Sequence, residues 1–102
     1  MHHIWIAAKR ANDQIMSTSD SQSTASSFPE LVAEELRQAR AANPPFHNLH
    51  EGYAVILEEV DELWDEIKKK RAVRSRVNLI EEVVQIAAMC QRLYEDVIQH
   101  EP

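Results

Sequence analysis

From residue 49 onward, apolar and acidic positions alternate with the period of a helix. Tyr53, Ile56, Leu57, Val60, Leu63, Trp64 and Ile67 recur at intervals of three and four, so they share one side, which the pattern expects to be buried. The opposite side is acidic, since six of the nine residues from Glu58 to Glu66 are Asp or Glu. Like charges at that spacing repel by about 0.2–0.5 kcal/mol per pair, and a divalent cation is the compensator that chemistry suggests first. This second helix is expected to run from about 49 to 70, with Asn48 and Glu51 as a capping box and Lys68-Lys69-Lys70-Arg71 at its negative end.

Two further helices flank it. Ser27-Phe28-Pro29-Glu30 has the form of a capping box with proline in the first turn, and Phe28, Val32, Leu36 and Ala39 continue one face to about residue 42, where Asn43-Pro44-Pro45 stops it. Ser75 is expected to cap a third helix reaching about Gln99, with apolar positions from Leu79 to Ile98 spread over half its circumference. One hairpin cannot cover so wide an arc. The expected fold is therefore all-α: a helical hairpin plus a shorter N-terminal helix, forming a four-helix bundle through dimerisation.

Composition narrows the class. A single glycine and four prolines among 102 residues favour long helices, and 44% hydrophobic with 27% charged residues is the balance of a soluble globular protein. Residues 1–27 read as a flexible tail: eight of the eleven residues from Ser17 to Ser27 are Ser or Thr. His2 and His3 at its start are set aside as incidental. That leaves 28–100 as one small helical domain, which a partner subunit would help to stabilise. A net charge of −6 argues against nucleic acid as a partner, and no apolar run is long enough for a membrane span or a signal peptide, so a cytoplasmic location is the default. The lone Cys90, on an apolar helical face, is expected to be a small buried residue.

The candidate chemistry lies on the flanks of the hairpin. Glu59 and Glu62 are three apart on the second helix, and Glu82 and Gln85 repeat that spacing on the third. If the two apolar stripes face each other, three carboxylates and an amide oxygen converge, which suits an oxygen-ligated cation able to polarise a phosphoryl oxygen. A solvated acidic face paired loosely with Lys and Arg accounts for the same pattern. A di-iron bundle is excluded, because none of His47, His50 and His100 has a Glu three residues before it.

Glu58-Glu59-Val60-Asp61-Glu62 resembles the EExxE motif of the MazG-like all-α nucleoside triphosphate pyrophosphatases, and Glu82-Val83-Val84-Gln85 stands where that family has ExxD. The strings from His50 to Glu59, Glu62-Leu63-Trp64 and Val84 to Met89 look like the small single-domain branch of that family. The resemblance implies a Mg²⁺-dependent pyrophosphohydrolase, Mn²⁺ being the substitute ion. It would convert a (d)NTP to (d)NMP and pyrophosphate in nucleotide-pool housekeeping, as a homodimer or dimer of dimers. It also implies Glu59, Glu62 and Glu82 as metal ligands, with Glu58 orienting or deprotonating the attacking water. Gln85 departs from the family aspartate; it can ligate Mg²⁺ through oxygen but lacks the charge, so metal affinity should be lower. Lys68 and Arg71 are candidates to grip phosphates, and His50 and Met89 to touch the nucleotide. Each also has a plain role: solvated helix end, helix-terminal histidine, core methionine. The competing functional reading is a non-catalytic helical dimer that binds a nucleotide or a protein partner.

Overall fold

The computed structural model describes residues 26–102, and these form three α-helices with no strand. They are α1 (Phe28–Ala42), α2 (Leu49–Ile67) and α3 (Arg76–Asp96), with short 3₁₀ turns at Arg71–Val73 and Ile98–His100. The expected tail, including His2 and His3, lies outside the described residues except for its last two positions.

The helix starts follow from local hydrogen bonding. Ser27 Oγ accepts from the Glu30 N–H while Glu30 Oε1 accepts from the Ser27 N–H, which is the full capping box. Asn48 accepts from the Glu51 N–H at 2.8 Å, but Glu51 turns its carboxylate to the His47 N–H at 2.6 Å, so the second box is only half formed. Ser75 caps α3 through the Asn78 N–H. Helix α2 ends three residues before the expected position, and the turn that follows explains why. Glu66 accepts from the Ser75 N–H at 2.7 Å, from Lys69 Nζ at 2.9 Å and from Asn78 Nδ2 at 3.1 Å, while Arg74 donates to the carbonyls of Ile67 and Lys69. The carbonyls left open at a helix end are satisfied by that arginine instead of by another turn.

Helix α3 is the central element, with α1 and α2 each packed on it. Its inner side contributes Val84, Ala88 and Met89 to the core, joined by Val32 and Ala39 of α1, Val55 of α2 and Phe46 of the connecting loop. Gly52 lets α2 approach closely, because a Cβ there would collide with the Leu93 side chain. At the far end a latch fixes the loop between α1 and α2. Asp96 accepts from the Phe46 N–H at 2.9 Å and from Arg40 at 2.8 Å, and Arg92 donates to the Pro44 carbonyl at 3.0 Å with its guanidinium 4.1 Å above the Phe46 ring. Burial raises the Asp96 carboxyl, yet these donors hold it below its ordinary value; burial pushes the Arg92 guanidinium down.

The inner face of α2 is turned from the expected one, with Ile56 and Leu63 of the apolar stripe still half-buried. Tyr53, Leu57, Val60, Trp64 and Ile67 are exposed, between 40% and 64%, whereas Glu59 and Glu66 are buried. Helix α3 behaves likewise, with Glu81, Glu82, Gln85 and Arg92 inside and Val83, Cys90 and Tyr94 outside. Cys90 is thus an exposed thiol, not the buried residue anticipated. The cause is that both sides of α3 are apolar enough to pack, and buried hydrogen bonds select the side that meets α2.

Two tests follow from this architecture. The hydrogen bond from the Ser75 N–H, then Lys69, lower the Glu66 carboxyl to about 2. Its contribution is complete above the ordinary value of 4.5 and is lost as pH falls through about 2. Acid unfolding followed by circular dichroism should show this loss, and Glu66→Gln should be less stable at neutral pH with a flatter acid limb. Gly52→Ala should lower stability by about 1 kcal/mol in denaturant melts despite the better helix propensity of alanine, because Leu93 must shift.

Candidate functional site

Halfway along the α2–α3 seam, the acids singled out in the sequence come together. Glu59, Glu62 and Glu82 each present a carboxylate oxygen within 4.8 Å of the other two. Glu59 is fully enclosed, Glu82 is 4% exposed and Glu62 is half-buried, so the group opens outward on the Glu62 side. Glu58, on the preceding position of α2, is exposed. The pairing comes from helix geometry: residues three apart rise on one flank, and the antiparallel α3 brings Glu82 opposite.

Gln85 belongs to the same site in a different capacity from the one its spacing suggested. With its amide oriented to satisfy both side chains, its nitrogen donates to Glu59 Oε1 at 2.9 Å and Oε2 at 3.0 Å. Gln85 is fully buried, and this contact holds the Glu59 carboxylate in place against the other two acids. Three carboxylates this close repel one another by about 3–4 kcal/mol per ionised pair at an effective dielectric of about 20. A proton or a cation would relieve that repulsion.

The remaining candidates are dispersed. Lys68 pairs with Asp65 at 3.1 Å, and Arg71 lies on the exposed 3₁₀ turn. Along α2 these cations begin nine residues beyond Glu59, about 13 Å at 1.5 Å per residue. His50 is exposed at the start of α2. Met89 is fully enclosed in the core with its sulfur 3.4 Å from Arg92 Nη1, which is the core-filling role.

Helical periodicity does not reveal Glu81. Glu81 is fully buried beside Glu82, and among the described residues neither of its oxygens has a hydrogen-bond partner. Its helical position alone gave no hint, because the side of α3 it occupies reads as polar and therefore as solvent-facing. A buried carboxyl without donors costs about 1–3 kcal/mol relative to an apolar side chain of the same shape. Glu81→Met should therefore raise the thermal midpoint, with a gain of about 1–3 kcal/mol in denaturant melts; a loss of stability would mean that the carboxyl makes a favourable interaction.

Compared with known proteins, this chain matches no family model, no curated protein and no solved structure.

Proposed function

We propose that this protein is a Mg²⁺-dependent nucleoside triphosphate pyrophosphohydrolase that splits a (d)NTP between its α and β phosphates, releasing the (d)NMP and pyrophosphate. The observation that carries the reading is the convergence of Glu59, Glu62 and Glu82 from two helices onto one point, open on one side. Acidic helix faces are common, but a solvated face does not enclose two of its carboxylates between helices. The motif spacing resembling EExxE and ExxD supports the same conclusion.

In this reading Glu59, Glu62 and Glu82 hold Mg²⁺, with Mn²⁺ as a substitute. Bound there, the ion supplies charge neutralisation for the triphosphate and polarises a phosphoryl oxygen. The chain's own residues do the rest. Gln85 fixes the Glu59 carboxylate through its amide N–H groups. Glu58, exposed beside the cluster, orients a water and accepts its proton as the oxygen attacks phosphorus. His50, Lys68 and Arg71 are the exposed groups available to the base and phosphates, Lys68 after release from Asp65. Met89 contributes only from within the core. The working form is a homodimer, or a dimer of dimers, because the apolar outer faces of α2 and α3 call for cover.

A non-catalytic reading also has an observation in its favour: Gln85 spends its amide on Glu59 instead of adding a fourth charge. The protein would then be a helical dimer that binds a nucleotide or a protein partner without turnover. Pyrophosphate release from a deoxynucleoside triphosphate panel with Mg²⁺ separates the two. The wild type should release pyrophosphate, Glu59→Ala should lose at least about 100-fold, and Gln85→Asp should tighten Mg²⁺ binding. Nucleotide binding without release in all three proteins would make the non-catalytic reading the correct one.

A further inference from the structure

We draw no further inference here: the strongest candidate, the exposed apolar stripe of α2 through Tyr53, Leu57, Val60, Trp64 and Ile67, carries none, because nothing in the structure shows what covers it.

Discussion

Everything in this hairpin depends on a polar seam. Beside the apolar contacts that Val55 makes within the core, α2 and α3 meet through Glu59 and Gln85 at mid-length and through Glu66, Ser75 and Asn78 at the turn. Buried polar contacts of this kind contribute little net stability, since desolvation offsets much of the gain. Their effect is on register. Sliding α3 by one turn would take Gln85 away from Glu59 and Ser75 away from Glu66, at a cost of about 1–3 kcal/mol for each buried group left unsatisfied. The seam therefore selects one alignment among several that apolar packing alone would tolerate.

That selection has a consequence for where the apolar surface goes. Helix α3 carries apolar residues over about half its circumference, more than one neighbouring helix covers. By giving one side to the polar seam and the α1 contact, the fold turns Val83, Cys90 and Tyr94 outward, just as α2 turns out Tyr53 and Trp64. A chain of this size has little core to spare, with eight apolar residues buried among those described. The outward faces and the acidic seam are two results of one packing choice.

How much of this was legible in the sequence differs by level. Helix starts were, because capping is local chemistry: Ser27 with Glu30, Asn48 and Ser75 each satisfy N–H groups within three residues. The convergence of Glu59, Glu62 and Glu82 was also expected, from their spacing by three on flanks that facing apolar stripes would bring together; the three meet although most of the α2 stripe faces outward. What spacing could not supply was the inner face. Periodicity identifies a stripe, but when two arcs of a helix are apolar or mixed, the choice between them is made by contacts distant in sequence, such as Gln85 with Glu59. The end of α1 at Ala42 was legible from Asn43-Pro44-Pro45, but that of α2 was not: Lys68 to Lys70 have good helix propensity, and the holds of Glu66 on Ser75 and of Arg74 on the Ile67 and Lys69 carbonyls stop the helix at Ile67.

The seam also bears on what the acidic cluster can do. A carboxylate held by two amide contacts on a buried helix cannot swing away to relieve repulsion, so Glu59 stays beside Glu82 whether or not anything neutralises them. Glu62 is half-buried on the open side. Two enclosed acids and one half-buried acid are thus held together by the fold itself. An aspartate at position 85 would add charge but remove the N–H donors that fix Glu59. The glutamine thus gives up a charge and in exchange supplies the donors that hold Glu59.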